Sequence, residues 1–179
     1  MKKRDKESVE RRIWVVRPGR KTTPKQCSEN EQVFSEKGIA GLRDDYLIGD
    51  LRKGGRTRGD MIEFVASSRS QKPRKAIISV VSNLFRLLNE MRIGDWVLSP
   101  SRIARVYRVG IVDSAYRFEA KAAFQHIRDV KWMGEFPKGS LSIEARRELG
   151  AARLFFECKR NTEEVSALLE SVIKGAIRK

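Results

Sequence analysis

The stretch from Leu84 to Phe118, LFRLLNEMRIGDWVLSPSRIARVYRVGIVDSAYRF, constrains the fold more than any other. Its first residues end an amphipathic helix. Ile77, Val80, Val81, Leu84, Leu87, Leu88 and Met91 recur at i, i+3, i+4, i+7 spacing over Ala76 to Met91, so this apolar stripe is core. A tight turn at Ile93-Gly94-Asp95 follows. Gly94 can take positive φ there, and the Asp95 carboxylate can accept from nearby backbone amides. Trp96-Val97-Leu98 then enters a strand, a loop holds Ser99, Ser101 and Arg102, and a second strand bends near Gly110.

Other elements fall around this unit. Ile13-Trp14-Val15-Val16 is a short, continuously apolar strand of the kind found at a central position, ended by Arg17-Pro18-Gly19-Arg20. A polar loop runs to about Asn30, Glu31 to Lys37 forms a short helix, and Ile39 to Leu42 a second strand. Asp60 to Ser68 is a short helix, and His126 to Met133 ends as a strand. Ser142 caps a helix that stops at Gly150, and Arg153 to Cys158 closes the sheet with Leu154, Phe156 and Cys158 on one face. Asn161 starts a last helix, with Glu164 as its capping-box partner and Val165, Leu168, Leu169, Val172, Ile173, Ala176 and Ile177 as its apolar stripe. The sum is an α+β chain: a small, partly open barrel of five or six strands, inserted helices and a C-terminal helix. Residues 1–11 read as a basic flexible tail, 12–158 as the domain, and 159–179 as a helix that packs on it, pairs with a second copy or leads into a fused or associated nuclease.

Charge narrows the function. There are 38 Lys and Arg against 23 Asp and Glu, a net charge of +15, and the excess clusters in loops, which suits a polyanion. From Arg52 to Lys75 the chain carries Arg52, Lys53, Arg56, Arg58, Arg69, Lys72, Arg74 and Lys75 against Asp60 and Glu63. That run is either a solvated surface or a landing strip for phosphates, joined by Arg20 and Arg102. The two cysteines, Cys27 and Cys158, form no CxxC pair, and one histidine cannot complete a His/Cys metal set, so free thiols in a reducing cytoplasm are expected, with no metal and no cofactor. No apolar run approaches membrane-helix length.

Several stretches, in order, resemble the EVE-like branch of the PUA superfamily, the reader module fused to Mrr-like, modification-dependent restriction endonucleases. They are IWVVRPGR at 13–20, EKGIAGL at 36–42, LFRLLNEMRIGDWVLSP at 84–100, VGIVDSAYRF at 109–118, HIRDVKWMGEFPKGSLS at 126–142 and ARRELGAARLFFE at 145–157. The resemblance implies a PUA-like barrel whose pocket accepts a modified base, typically a methylated or hydroxymethylated cytosine flipped out of duplex DNA; a related branch reads methylated adenine in RNA. Flipping costs a few kcal/mol, which the pocket must recover. One position departs from the family: Gly38-Ile39-Ala40-Gly41-Leu42-Arg43-Asp44 lacks the tryptophan of GI-x-x-IGW. Either another aromatic serves, or the pocket takes something else, or it reads no base.

A base pocket needs a flat aromatic wall, worth about 1–3 kcal/mol per stacked base. Trp14, Trp132 and Tyr116 are the candidates, with Trp96 assigned to the core. Arg17, Arg43 and Asp44 lie just past strand ends, where Asp44 can accept from an exocyclic amine and an arginine can donate to a base carbonyl. Ser99 joins them from the hairpin loop, and His126 reads as structural. Core filling and surface ion pairs are the bland alternatives for each. The expected function is therefore a non-catalytic module that reads a modified base in duplex DNA, as the specificity part of a restriction or defence system. Three rivals stay open: an RNA-binding PUA-like protein, a protein-interaction module acting through the last helix, and a Mg-dependent nuclease. For the nuclease, Glu157-Cys158-Lys159 has the E-x-K form, with Asp113 or Asp129 as the upstream acid. E-x-K is common by chance in a chain that is 34% charged.

Overall fold

The computed structural model describes residues 11–19, 23–53, 57–68 and 71–177. The expected tail lies almost wholly outside these residues, as do Arg20, Arg56 and Arg69.

Strand β1 (Ile13–Val16) is buried at every position, as its unbroken apolar run predicts. Helix α1 (Pro24–Glu36) is longer than expected and takes up most of the segment read as loop. Thr23 caps it, with Pro24 in the first turn, and Gln26 closes a reciprocal capping box. Its buried residues are Cys27, Asn30, Glu31 and Phe34. They have helical spacing, but two are polar, so apolar periodicity cannot reveal them. Strand β2 (Ile39–Leu42), helix α2 (Arg58–Ser68) and helix α3 (Arg74–Asn89) follow. Gly94 has φ of +91° in the turn before β3 (Trp96–Pro100). Then come β4 (Val106–Val112), the two-residue β5 (Arg117–Phe118), β6 (His126–Pro137), α4 (Ile143–Leu149), β7 (Phe155–Glu157) and α5 (Thr162–Ile177).

The strands form one curled, open sheet in the order β2-β6-β4-β3-β1-β7, with β5 also paired to β6. The chain is thus α+β with a partly open half-barrel, one strand richer than expected because of β5. Every pairing is antiparallel except β1 with β3, where Ile13 faces Trp96 and Trp14 faces Val97. A register shift between Val109 and Gly110 bends β4 against β6.

Each face of the sheet has its own core. Trp14, Val16, Phe34, Ile77, Val81, Leu84, Leu87, Val97 and Phe124 pack on one, under α1, α2 and α3. Ile13, Val15, Trp96, Leu98, Val109, Phe156, Val165 and Leu169 pack on the other, under α4 and α5. The stripe of α5 is therefore used largely on its own sheet: Val165 and Leu169 are fully buried, and Leu168, Val172 and Ile173 are half-buried. Two side-chain expectations change. Leu154 packs toward the first core while Phe156 and Cys158 face the second, so they do not share a face. Glu164 does not cap its own helix; its carboxylate accepts from the amide and hydroxyl of Ser142 at 2.6 Å each, joining α5 to the start of α4. Both cysteines are buried, and neither is in a disulfide among the described residues. Among the described residues no helix is long and apolar enough to cross a membrane.

Two buried polar anchors hold this arrangement. The Asp95 carboxylate accepts from the Trp14 indole N–H at 2.8 Å, the Arg92 amide at 2.9 Å and the Arg12 amide at 3.3 Å. The Arg128 guanidinium, on β6, donates to the carbonyls of Leu87, Leu88 and Met91 at the end of α3, and to Ser114. It completes that helix C-terminus, whose last carbonyls otherwise lack partners. Replacing Asp95 by Ala strands the buried Trp14 N–H and costs about 2–4 kcal/mol. Urea unfolding would show a lower midpoint with an unchanged slope; a midpoint equal to that of the parent protein would contradict this.

Candidate functional site

β1 delivers Arg17 to the rim of the sheet. The Arg17 amide donates to the Leu154 carbonyl at 2.8 Å, and its guanidinium donates to the carbonyls of Arg153, Leu149 and Ala151 at 2.9–3.0 Å. One side chain thus closes the end of α4 and fixes the 150–154 loop as a wall. Burial pulls the Arg17 pKa down, Tyr107 opposes this, and Arg102 adds to it.

Gly19 comes next, at φ of +108°. A Cβ there would lie 2.9 Å from Asn30 Nδ2, so glycine serves both the backbone and the space. Asn30 is 5% exposed. Its carbonyl Oδ1 accepts from Arg43 Nη2 at 2.8 Å. Because arginine only donates, that bond fixes which way the amide points. The amide Nδ2 is then left buried with no hydrogen-bond partner. Arg43 also lies over the Phe124 ring, 5.3 Å from its centroid.

These residues line a chamber of about 180 Å³. Its apolar walls are Leu42, Val80, Leu84, Phe124 and Leu154; Arg17, Asn30, Arg43, Asp45 and Asn83 supply polar groups. A larger chamber of about 950 Å³ adjoins it and shares Arg17, Gly19, Asn83 and Leu154. The two are one cleft between the β1 end, α1, α3 and the 150–154 loop. The outer chamber is lined by Arg17, Arg86, Arg102 and Arg153, with Ser79 and Ser82 from α3 and Glu31 as its carboxylate. Glu31 is already engaged: its oxygens accept from Ser101 Oγ at 2.8 Å and the Arg102 amide at 2.9 Å. Lys138 donates to the Ser101 carbonyl. Burial lowers its pKa first, and Arg17, Arg105 and Arg102 lower it further against Glu31, as expected where positive charge is crowded.

The structure distributes the expected site residues unevenly. Arg17 and Arg43 line the inner chamber and Arg102 the outer one. Arg58 reaches the rim through bonds to Ser82 Oγ. Trp14 is a correction: it is fully buried, stacked on Phe155 at 4.9 Å with its N–H on Asp95, and offers no surface to a ligand. Trp132 spends its N–H on the Phe34 carbonyl and packs against the first core, and Ser99 is buried in β3. Tyr116 is buried with its hydroxyl 2.8 Å from His126 Nδ1, and burial pushes its pKa up to about 12. Asp44 turns away from the chamber and accepts from the amides of Ile48 and Gly49 at 2.7 Å, while Asp45 lines it. Of the basic run, Arg52 pairs with Asp50 and Arg74 with Glu63, while Lys53, Lys72 and Lys75 are exposed.

Asn30, Asn83, Arg86, Phe124 and Arg153 were not singled out by sequence. Only the Thr23-Pro24-x-Gln26 cap, followed by the spacing of Cys27, Asn30, Glu31 and Phe34, marks any of them. The E-x-K strand lies far across the sheet from both upstream acids: Glu157 is on the edge strand β7, β1 and β3 stand between it and β4, which Asp113 follows, and β4 also stands before Asp129 on β6. Among the described residues no group of three or more His, Cys, Asp or Glu side chains is placed to hold a metal ion.

Residues 44–148, more than half of the chain, match the model of a family described as a domain of unknown function, DUF8426. The chain belongs to that family. No curated protein and no solved structure matches it. Within the cleft, the DUF8426 match takes in the α3 wall, Phe124 and Arg102, and leaves out Arg17, Asn30 and Arg153.

Asp44 ties the loop beside the chamber. Burial raises its pKa, but His126 and the amides of Gly49 and Ile48 outweigh that and leave it below the ordinary carboxylate value. Its contribution is thus complete above about pH 4, the unfolded value, and is lost as pH falls through the lower folded value. Asp44→Asn therefore costs about 1–2 kcal/mol at pH 7, and the deficit shrinks as pH falls below about 4. Denaturant unfolding at a series of pH values checks this; a deficit independent of pH would refute it.

Proposed function

We propose that this chain is a non-catalytic nucleic-acid-binding module that takes one extruded base, modified and in DNA, into the inner chamber, as the specificity part of a restriction or defence system. The observation that carries the proposal is the Asn30 amide, buried at the chamber wall with a free donor pair and no partner. An unpaired buried donor costs about 1–3 kcal/mol, and a ligand acceptor such as a base carbonyl or ring nitrogen would relieve it. Phe124 and Leu42 supply the apolar wall, in place of the tryptophan missing from Gly38–Asp44. The half-barrel sheet and the order of the matched stretches support the likeness to the EVE-like branch of the PUA superfamily. The outer arginines suit the strand beside the extruded base, and the net charge of +15 suits long-range capture.

Competition by fluorescence anisotropy at fixed salt tests this, with duplexes that differ only in 5-methylcytosine or N6-methyladenine at one site. One modified duplex should bind at least about tenfold tighter than its plain counterpart. Asn30→Leu should erase that preference with little change in Tm, because losing the unpaired amide offsets losing the bond that Oδ1 accepts from the exposed Arg43. Equal affinity for all duplexes defeats the modification reading, and preference for RNA over every duplex moves the module to RNA.

A further inference from the structure

We infer that the cleft holds a nucleoside monophosphate as a unit, the base in the inner chamber and its own phosphate among the outer arginines. The inference rests on assigning the inner chamber to a base and extends it to a free small-molecule ligand. Three observations carry it. First, the chambers adjoin and share Arg17, Gly19, Asn83 and Leu154, so one ligand can reach from one into the other past Gly19. Second, the chambers differ in chemistry as the two ends of a nucleotide do: apolar walls with an unpaired amide in one, guanidinium groups in the other. Third, two of the four outer arginines are not spent on internal hydrogen bonds, whereas Arg17 is held by three carbonyls and Arg102 Nη1 reaches Cys27 Sγ at 3.6 Å. Arg153 has no side-chain partner among the described residues, and Arg86 lies 3.9 Å from Glu90, beyond hydrogen-bond distance. Glu31, the carboxylate that could repel an anion, already accepts from Ser101 and Arg102. A phosphate placed there meets donors on several sides, with charge-assisted bonds available from Arg86, Arg102 and Arg153.

Isothermal titration calorimetry on the full chain tests this, with the common deoxynucleoside 5′-monophosphates, 5-methyldeoxycytidine 5′-monophosphate, their 3′ isomers, the matching nucleosides and inorganic phosphate. At least one monophosphate should bind about tenfold or more tighter than both its nucleoside and inorganic phosphate. Arg153→Gln, an exposed change, should cut monophosphate affinity by about tenfold and leave nucleoside affinity alone, whereas Asn30→Leu should weaken both. The inference is overturned if no monophosphate exceeds inorganic phosphate, or if neither variant alters binding while both keep the parent's Tm. The two proposals fail separately. A modified duplex that binds where no monophosphate does leaves the reader standing without this inference. A monophosphate that binds where no polymer does leaves a nucleotide-binding protein and removes the reader.

Discussion

The Asp95 carboxylate is the tie on which the rest of the structure depends. It holds the Arg12 amide and Trp14 indole of β1 and the Arg92 amide of the turn after α3 in one buried cluster. That contact sets β1 beside β3, and the pair runs parallel. A parallel pair needs a crossover, and here the crossover consists of α1, β2, α2 and α3. The cleft follows from this route. The end of β1 arrives at Arg17 with α1 and α3 already stacked over the same face, and the space left between them is the two-chambered cavity.

Two arginines close helix ends, with different consequences. Arg128 is 5% exposed and gives its donors to the carbonyls around the end of α3, so it belongs to the frame. Arg17 does the same after α4 but keeps part of its guanidinium on the cleft. Burial lowers the pKa of both, which leaves each cation dependent on the carbonyls around it. The frame and the candidate site are therefore joined at Arg17: the residue that fixes the 150–154 wall also sets the positive character of the neck.

What could be read from sequence follows apolar content. α3 and the hairpin behind it were legible because the buried positions of α3 are all apolar, β3 opens with the apolar Trp96-Val97-Leu98, and the turn carries Gly94 and Asp95. The second core was legible for the same reason, down to the Ser142 cap of α4. α1 was not, because half of its buried face is Asn30 and Glu31, polar groups facing the cleft rather than the core. Trp14 misled in the opposite sense. A tryptophan at a strand suits a stacking wall, but position 14 faces the helices at the middle of the first core, where Asp95 takes its N–H. Glu164 misled because a capping box and a bond to a neighbouring helix look alike from one chain segment. The ring that does line the chamber, Phe124, sits in a loop with no periodic signal.

The central claim is that the unpaired Asn30 amide is waiting for a ligand acceptor. The side-chain amide protons of Asn30, followed by nitrogen–proton NMR while a duplex carrying one modified base is added, test it most directly. The account predicts that this resonance pair moves downfield and exchanges more slowly with solvent, while an unmodified duplex of the same sequence leaves it in place. An Asn30 signal that stays put while the arginine signals shift would show binding by charge alone and contradict the account.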